Sequence, residues 1–399
     1  MKHGVYILEE GTALTAPITS GSSIQVVIGT APVHMVEDPA AVVNVPILAN
    51  SAAEAMAALG YVDDFENFTL CQTMYATNNL FQVSPVVYIN VLDPSKHNKA
   101  MTTDSVEVEL LQAKITEKGV IPSMLTVQNG DQTLAAGTDY TTEFDTDGSL
   151  LINLISGGKG QNAQTLTVSG KVIDPSVVTK TDIIGSYNVA SGKETGMELI
   201  RQVYPKLGVV PGLLLAPGWS QEPEVGIALA AKAANINGVF KAMAILDLDT
   251  TTATKYTDVR EIKENSGFTS EFCYPLWLSF RVGDYILAGS AVAAALISYT
   301  DASNDDVPSI SPSNKLLGVT GTCLADGTEV NLDQDQANVV NSYGVATALN
   351  MNGGNSGATT PEPTRPARIR KISGSRCAAC STGREITSSC LTSTRWMTR

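Results

Sequence analysis

Apolar residues follow two different patterns along this chain, and the first is typical of an α/β layer. Mostly apolar runs at Ile24–Gly29 and Val86–Val91 predict buried strands, because strands that are covered on both faces lose the polar alternation. Between them, Ser51–Glu54 forms a capping box that opens a helix, and residues 67–81 have helical spacing. Residues 20–92 are therefore predicted to fold as β-α-α-β, the start of an α/β layer.

The second pattern begins at about Thr103, where helical periodicity stops. Up to about Val178 the chain contains short alternating runs, such as Val106–Leu110 and Thr165–Val168, which are typical of strands with one solvent face. Turn-forming pairs separate these runs, at Asn129-Gly130, Asp147-Gly148 and Gly157-Gly158. This region is predicted to be a small all-β domain, sandwich-like, inserted in the α/β domain.

The α/β pattern then resumes and completes the predicted fold. Helices are predicted at about 196–204, 222–237 and from Tyr285, and strands at 212–216, 239–246, 272–280 and 345–349. The predicted fold class is an α/β (α+β) core with an inserted all-β domain and an unstructured C-terminal tail. The predicted divisions are a linking arm (1–20), the core in two parts (21–103 and 179–354), the inserted domain (104–178) and the tail (355–399).

The composition and net charge indicate which kinds of partner the chain can bind. Hydrophobic residues make up 43% and charged residues 17%, which is a folded composition with an unusually uncharged surface. Such a surface suits a protein that is covered by copies of itself. The formal net charge of −14 argues against nucleic acid, because phosphate binding requires clustered Lys and Arg. The charge is uneven, since residues from Gly353 onward carry eight Lys/Arg and two Asp/Glu.

Targeting signals and cysteines indicate a protein that is made and kept inside a cell. Met1–Gly4 leads into an alternating strand rather than into the apolar core of a signal peptide. The longest apolar run, Tyr285–Ile297, is too short to span a bilayer and predicts a buried helix. Cysteines at positions 71, 273, 323, 377, 380 and 390 show no disulfide spacing in the folded part, which fits a reducing compartment. We expect a soluble protein, and not the exported adhesin that a β-domain and low charge would otherwise suggest.

Candidate catalytic and metal-binding groups are few. The histidines at positions 3, 34 and 97 lie in different regions and are interpreted as surface or edge residues, which argues against a His-dependent triad or a multi-His metal site. Ser156–Gly160 resembles a phosphate loop but lacks the Walker spacing and the Lys-Ser/Thr pair, so it is interpreted as a hairpin turn. Cys377 and Cys380 have the spacing of half a zinc or redox site, with no second pair or His nearby. No cofactor or metal site is predicted.

The strongest enzymatic signal is Asp247 and Asp249, directly after the apolar strand Ala242–Leu246. This is the spacing of the nucleophile motif in haloacid-dehalogenase-like phosphatases, where the first Asp attacks phosphorus and the second acts as general acid and base. Asp305 and Asp306 would be the metal-binding pair. Against this alternative, the motif lies mid-chain and no Lys is placed to hold a phosphoryl group. The competing interpretation is a strand end whose solvated carboxylates cap the next helix.

Several strings of residues, in order, resemble contractile tail sheath proteins of phages and related injection systems. The opening, from His3–Tyr6 to Ile28–Pro32, is similar to the sheath N-terminus. Leu215–Gly218, followed by an Ala-rich helix and Ala244–Asp247, is similar to the central α/β core of that family, in which the Asp ends a strand. Further similar strings are Tyr274–Trp277, Gly289–Leu296, Thr300–Asp301, Ser311–Lys315, Asp335–Asn338 and Asn350–Gly354.

The resemblance stops after Gly354, where the family continues with a segment like W-x-x-W-G-N-N-T. A shifted reading of the codons for Ser356–Arg365 permits W-G-N-N-T-G-A-Y-P. Trp396 and Met397 have one codon each, so their shifted reading is forced to Asp-Asp. Residues from about Asn355 are therefore interpreted as frame-shifted, which explains the basic tail and its isolated cysteine pair.

The resemblance implies a structural virion protein and not an enzyme. Sheath subunits form stacked six-fold rings around an inner tail tube, and contraction drives that tube through the host envelope. The implied partners are other copies of the chain, the inner tube protein, and baseplate and tail terminator proteins, with no nucleic acid, no direct membrane insertion and no cofactor. The implied location is the virion tail, assembled in the host cytoplasm. Terminal arms add strands to neighbouring subunits, which assigns inter-subunit linkage to Val5, Tyr6, Ile7 and Leu8.

Overall fold

A computed structural model describes residues 18–19, 21–145, 147–313, 315–349 and 368–369. Its strands are β1 (Ile18–Thr19), β2 (Gln25–Gly29), β3 (Pro46–Ala49), β4 (Val83–Ser84), β5 (Val86–Asn90), β6 (Asn98–Ala100), β7 (Asp104–Glu109), β8 (Gln112–Ile115), β9 (Thr126–Asn129), β10 (Gln132–Thr133), β11 (Tyr140–Phe144), β12 (Leu150–Leu154), β13 (Thr165–Ser169), β14 (Lys171–Ile173), β15 (Tyr187–Asn188), β16 (Lys193–Glu194), β17 (Leu213–Leu215), β18 (Met243–Asp247), β19 (Cys273–Leu276), β20 (Ser279–Val282), β21 (Tyr285–Leu287), β22 (Gly321–Cys323), β23 (Ala348–Leu349) and β24 (Arg368–Ile369).

The helices complete the inventory of regular elements. The α-helices are α1 (Ala52–Leu59), α2 (Thr69–Tyr75), α3 (Lys180–Ile184), α4 (Ile200–Leu207), α5 (Pro223–Ala234), α6 (Val259–Asn265), α7 (Gly289–Ala302) and α8 (Gln334–Ser342). A π-helical turn (Ala76–Leu80) extends α2, and 3-10 turns lie at Val33–Met35, Pro39–Val42, Pro122–Met124, Pro175–Val177 and Gly196–Leu199. Among these described helices, none combines the length and the apolar character that crossing a bilayer requires.

A six-stranded sheet forms the centre of the molecule. Its order is β19-β18-β17-β2-β5-β3, and all neighbours are parallel except the edge pair β3 and β5. Every residue of β2, β5, β17 and β18 is buried, as expected for parallel strands that are covered on both faces. The chain passes from β2 to β5 on one side and later to β17, β18 and β19 on the other. This is a doubly wound order with its switch point between β2 and β17.

Helices cover this sheet, and the longest of those described, α7, is almost entirely buried. Helix α5 packs against β17 and β18, and α7 packs against the same two strands and against α2. Twelve of the fourteen residues of α7 are buried, including Ser290, Ser298, Thr300 and Asp301. A helix that is apolar nearly all round belongs in a core rather than on a surface. The polar groups that it carries inside must therefore be satisfied by neighbouring residues.

The inserted region is a β-unit with its own apolar core. Seven antiparallel strands follow the order β10-β9-β13-β7-β8-β12-β11. Strand β7 pairs with β13 through its first four residues and with β8 through its last two, so it joins two halves of the sheet. Alternate side chains of both halves form one buried cluster, which includes Val106, Ile115, Ile152, Leu166 and Val168. The predicted fold class, an α/β core with an inserted all-β unit, is confirmed.

A short neck joins the β-unit to the core. Strands β6 and β14 pair antiparallel, with Asn98 opposite Ile173, where the chain enters and leaves the unit. Ile173 belongs to the core cluster, whereas Val172 belongs to the cluster of the β-unit. The proposed residue boundaries of the arm, the core parts and the inserted domain stay predictions. The predicted tail, from residue 355, lies outside the described residues apart from the two residues of β24.

Two predicted elements near the core are wrong in detail. The strand predicted over 272–280 is two strands, because Leu278 has a positive φ of 97° and turns the chain. That turn places the Trp277 side chain inside the core, where its Nε1 donates to the Ala253 carbonyl at 2.8 Å. The helix predicted from Tyr285 begins only at Gly289, since residues 285–287 pair with β20 as a strand. The overlooked signal is Gly283, whose φ of 59° permits the tight turn between those strands.

Other predicted boundaries also shift. Ser156–Gly160 is a turn, but it does not close a hairpin, because it connects β12 to β13 and these strands are not neighbours. The strand predicted over 239–246 begins at Met243, since residues 236–240 form a turn with its own backbone bonds. The helix predicted over 222–237 ends at Ala234. Apolar residues in the adjoining turns continue the pattern of the strand or helix, so the predicted elements are longer than the observed ones.

We predict that residues 98–173, expressed alone, fold into the β-unit. The fragment contains its complete apolar cluster and the neck pair that closes its ends. Amide hydrogen exchange should show slow exchange in β7, β8, β12 and β13. The matched control, the same fragment with Ile152→Asp, places a charge in the centre of the cluster and should exchange rapidly throughout. Rapid exchange in the unmodified fragment would show that the unit depends on the core.

Candidate functional site

The residues that were assigned to inter-subunit linkage, Val5, Tyr6, Ile7 and Leu8, lie outside the described residues. The structure does describe where the segment that follows them enters the core. Residues Ile18–Thr19 pair in parallel with Val83–Ser84. From there the chain passes through Gly21–Ser23 into the central strand β2. The contacts of Gly21, Ser22 and Ser23, which we call the root of the N-terminal segment, form the candidate site.

The carboxylate of Asp306 holds the root. Its oxygens accept hydrogen bonds from the backbone nitrogen atoms of Gly21 and Ser22, each at 2.9 Å, and from Ser22 Oγ at 2.9 Å. Glycine at residue 21 permits this close approach, because a Cβ there would lie 2.6 Å from Asp306 Oδ2. Asp305 and Asp306 both have positive φ, 54° and 61°, so the loop is held in an unusual conformation. One carboxylate therefore satisfies three donors of the root.

Helix α7 holds the root from the buried side. Ser23 Oγ donates to the Asp301 carboxylate, and Ser298 Oγ donates to the Ser23 carbonyl at 2.8 Å. Gln25 Nε2 donates in turn to Ser298 Oγ at 3.0 Å. Burial raises the pKa of the Asp301 carboxyl to about 6, and the charge of Asp306 adds to the increase. These bonds connect the N-terminal segment to the buried helix α7.

Asp247, the nucleophile of the phosphatase alternative, is part of the same core and is not open to a substrate. Its Oδ1 accepts from Ser290 N at 2.6 Å, and its Oδ2 accepts from Ser290 Oγ at 2.5 Å and from Ser220 Oγ at 3.0 Å. Burial raises the pKa of the Asp247 carboxyl, although the bonds from Ser290 and Ser220 favour its ionised form. The side chain caps the first turn of α7, where the nitrogen atoms have no partner within the helix. The interpretation as a solvated cap of the next helix is wrong in two respects, since this cap is buried and the helix is α7 rather than α6, which comes next in the chain.

The other carboxylates of that alternative are also engaged. Asp249 accepts from Thr251 N at 2.9 Å, from Thr251 Oγ1 at 2.7 Å and from Thr252 Oγ1 at 2.9 Å. Asp305 and Asp306 follow the far end of α7, and its 14 residues place them about 20 Å from Asp247. They cannot share a metal ion with it. Within the described ranges, no three His, Cys, Asp or Glu side chains are grouped to hold a metal ion.

The switch point of the sheet, where doubly wound proteins commonly bind ligands, is filled by α2. Thr69 N donates to Thr30 Oγ1 at 3.0 Å, and Thr30 N donates to Thr69 Oγ1 at 3.2 Å. Gln72 Nε2 donates to the Phe65 carbonyl at 2.7 Å, and Gln72 Oε1 accepts from Ala288 N at 2.8 Å. The chain's own helix therefore occupies the crevice. Thr30 belongs to one of the strings that resemble the sheath family, but the sequence pattern did not predict its hydrogen bonds with Thr69.

The interpretation of the histidines as surface or edge residues is wrong for two of them. His34 and His97 are both buried, and His3 lies outside the described residues. His97 Nδ1 accepts from Asp93 N at 2.9 Å, a local structural bond. The His34 ring lies between Phe68 and Phe144, at centroid distances of 6.0 and 5.5 Å, so it packs at the contact of the core with the β-unit. Burial lowers the pKa of His34 to about 4.

Comparison with known proteins gives a relative in sequence. The chain is 29% identical over 182 residues to the "Putative prophage major tail sheath protein" of Pseudomonas aeruginosa strain UCBPP-PA14. The resemblance to tail sheath proteins is confirmed. The match covers 43% of this chain and 43% of the relative's own length, so it spans less than half of that protein. No family model matches the sequence.

Solved structures with a partly similar fold have low sequence identity. The chain aligns with a component of the anti-feeding prophage baseplate at a TM-score of 0.48 and 12% identity, covering 97% of this chain and 74% of the other. It aligns with the sheath tail protein of Listeria innocua at 0.44 and 12%, covering 88% and 69%. The sheath tail protein of Desulfitobacterium hafniense aligns at 0.44 and 11%, covering 98% and 83%.

We predict that Asp247→Ala lowers the free energy of unfolding by about 2–4 kcal/mol, because it leaves Ser290 N and two hydroxyl groups without an acceptor inside the core. Asp247→Asn should cost less, since one acceptor oxygen remains. The matched control is Asp249→Ala, which removes a cap from a half-buried loop and should cost about 1 kcal/mol or less. Urea unfolding measures all three. A wild-type midpoint for Asp247→Ala would contradict the capping role.

We predict that Asp301 and His34 change stability with pH in opposite directions. The pKa of Asp301 is higher in the folded state, so the folded protein binds this proton more tightly, and acidification from about pH 6 to 4 stabilises the fold. The pKa of His34 is lower in the folded state, so acidification from about pH 6.5 to 4 favours the unfolded chain. Each term reaches at most about 3 kcal/mol.

Two variants separate these terms. Asp301→Asn should make the loss of stability on acidification steeper than in the wild type, whereas His34→Gln should make it shallower. Urea unfolding at intervals between pH 4 and 7 gives the slopes, and the comparison of slopes is independent of any constant cost of each substitution. Parallel curves for the two variants and the wild type would show that neither group titrates differently on folding.

Proposed function

We propose that this chain is a subunit of a contractile tail sheath, a structural protein of a phage tail or a related contractile injection system. The observation that carries the proposal is the sequence relation to a protein named as a major tail sheath protein. The described residues support a structural role, because the candidate catalytic carboxylates are engaged in the core and the crevice of the sheet is filled by α2. We infer that the chain is not an enzyme.

The proposed mechanism is polymerisation followed by contraction. Copies of the chain form stacked six-fold rings around an inner tail tube, between a baseplate and a tail terminator, and contraction drives the tube through the host envelope. The subunit is assembled in the host cytoplasm and becomes part of the virion tail. We propose that Val5, Tyr6, Ile7 and Leu8 add a strand to a neighbouring subunit. The root contacts give such a strand a firm attachment, because force on it reaches α7 through Ser23 and Asp301.

We predict that deleting Met1–Ala13 leaves a folded chain that cannot join a wild-type sheath. The deletion stops before the root, so the bonds from Asp306 to Gly21 and Ser22 remain and the core should keep its stability. Sedimentation and urea unfolding test folding, and electron microscopy of tails assembled with tagged subunits tests incorporation.

The matched control is full-length chain with Lys2→Ser, which lies outside the apolar strand and should be incorporated normally. Normal incorporation of the truncated chain would show that Val5–Leu8 do not link subunits. A wild-type chain that forms no tubular polymer with its tail proteins would instead contradict the proposed function itself.

A further inference from the structure

The turn between β7 and β8 has an unusual sequence for its backbone conformation. Glu109 pairs with Gln112, so the turn consists of Leu110 and Leu111 alone. Both leucines have positive φ, 51° and 68°. Two-residue turns with positive φ at both positions strongly prefer Asn-Gly or Asp-Gly, because most side chains are strained there. Leucine at both positions therefore leaves the backbone strained, whereas Asn-Gly would adopt this turn with less strain.

The same two side chains are exposed at the end of β7 that leads away from the neck. Leu110 is fully exposed (101%) and Leu111 is 40% exposed. Strained backbone persists mainly where a function requires it, and exposed apolar groups in such a position point to a contact surface. Together the strain and the exposure indicate that this turn, which we call the leucine turn, is presented to an apolar partner surface.

The flanks of the leucine turn are acidic. Glu107 and Glu109 on β7 are exposed, and neither has an ion-pair partner within the part of the chain that the structure describes. The nearby Lys114 is already paired with Asp145 at 2.6 Å. The complementary surface should therefore be apolar and carry a positive charge.

A groove with this character lies elsewhere on the same chain. It has a volume of about 870 Å³ and lies beside the hairpin of β15 and β16. The apolar side chains that line it are Tyr187, Tyr204, Pro205, Val210, Val239 and Phe240. Val239 is 69% exposed, and the Tyr204 and Phe240 rings pack at 4.9 Å, so the groove presents a firm apolar wall to solvent.

The groove also carries the positive charge. Arg201 lies over the Tyr187 ring at 5.2 Å and is paired with the buried carboxylate of Glu194. Lys206 lines the same groove, is exposed, and has no acidic partner among the described residues. With the Arg201–Glu194 pair neutral, Lys206 leaves the groove with an excess cation. Its charge is complementary to that of the leucine turn.

We propose that the leucine turn of one copy docks in this groove of a second copy, with Glu109 placed against Lys206. The inference rests on the proposed function, from which it takes a second copy as the partner. The turn and the groove are different surfaces of one chain, so the contact is head-to-tail and repeats from copy to copy. Repetition of such a contact produces rings or helical polymers rather than closed dimers. Docking also buries the apolar pair that the strained turn exposes.

The first test replaces the turn by the sequence that its backbone prefers. Full-length chain with Leu110→Asn and Leu111→Gly relieves the strain and removes the apolar pair, so it should fold at least as stably as the wild type. Its self-association, measured by sedimentation equilibrium, should weaken about tenfold or more, as expected when central apolar anchors are lost. The matched control, Leu316→Asn, removes another exposed apolar side chain (54% exposed) that lines neither surface.

The second test reverses the charges. Glu109→Lys and Lys206→Glu should each weaken self-association, and the double variant should regain most of the loss, because the ion pair is restored with opposite polarity. Unchanged association in the Asn-Gly variant, equal weakening by Leu316→Asn, or additive losses in the double variant would each overturn the proposal.

Electron microscopy of the same samples distinguishes failure of the docking proposal from failure of the proposed function. Tubular polymers formed equally well by the wild type and the Asn-Gly variant would overturn the docking proposal and leave the sheath function standing. A wild type that neither associates in solution nor forms tubes would overturn both.

Discussion

The burial of helix α7 is the constraint on which most of the structure depends. A helix inside a core exposes no backbone group to water, so the unpaired nitrogen atoms of its first turn need an internal acceptor. Asp247 is that acceptor, and it comes from the end of the strand on which α7 packs. The other end of the helix carries Ser298 and Asp301, which bind the root of the N-terminal segment. A single buried helix thus connects the central sheet to the segment that is proposed to link subunits.

The same constraint explains why Asp247 resembles a catalytic group although both of its oxygens accept hydrogen bonds inside the core. Asp247 follows a central strand, as catalytic carboxylates of α/β enzymes often do, but a helix start directly above it takes both oxygens. The crevice beside it is closed by α2 through the reciprocal bonds of Thr30 and Thr69. A doubly wound sheet that fills its own ligand crevice gains rigidity.

Much of the fold could be predicted from the sequence, because its strongest signals are local. Mostly apolar runs predicted β2, β5 and β18, and the loss of helical periodicity predicted the β-unit. The errors fall where a contact distant in sequence decides the conformation. Trp277 turns inward to bond the Ala253 carbonyl, and His34 is buried between the rings of Phe68 and Phe144, which follow it 34 and 110 residues later in the chain. Neither partner is visible in the local pattern.

The candidate site was less accessible to sequence reasoning for the same reason. The linking residues Val5–Leu8 were chosen from the resemblance, whereas the root is held by Asp301 and Asp306, which lie more than 270 residues away along the chain. From the sequence, Asp306 was identified only as part of the metal-binding acidic pair of the phosphatase alternative. Its role as an acceptor for Gly21 and Ser22 depends on a positive φ and on a glycine without Cβ. Spacing alone does not reveal such a partnership.

The neck between the two units has a consequence for how such proteins can diversify. Entry strand β6 and exit strand β14 are hydrogen-bonded neighbours, so the chain leaves and re-enters the core at points about 5 Å apart. Any insert whose two ends lie side by side could replace the β-unit without moving a strand of the central sheet. The position is therefore suited to genetic exchange of surface domains. It would equally accept a foreign domain, which would then be displayed on every copy of the chain.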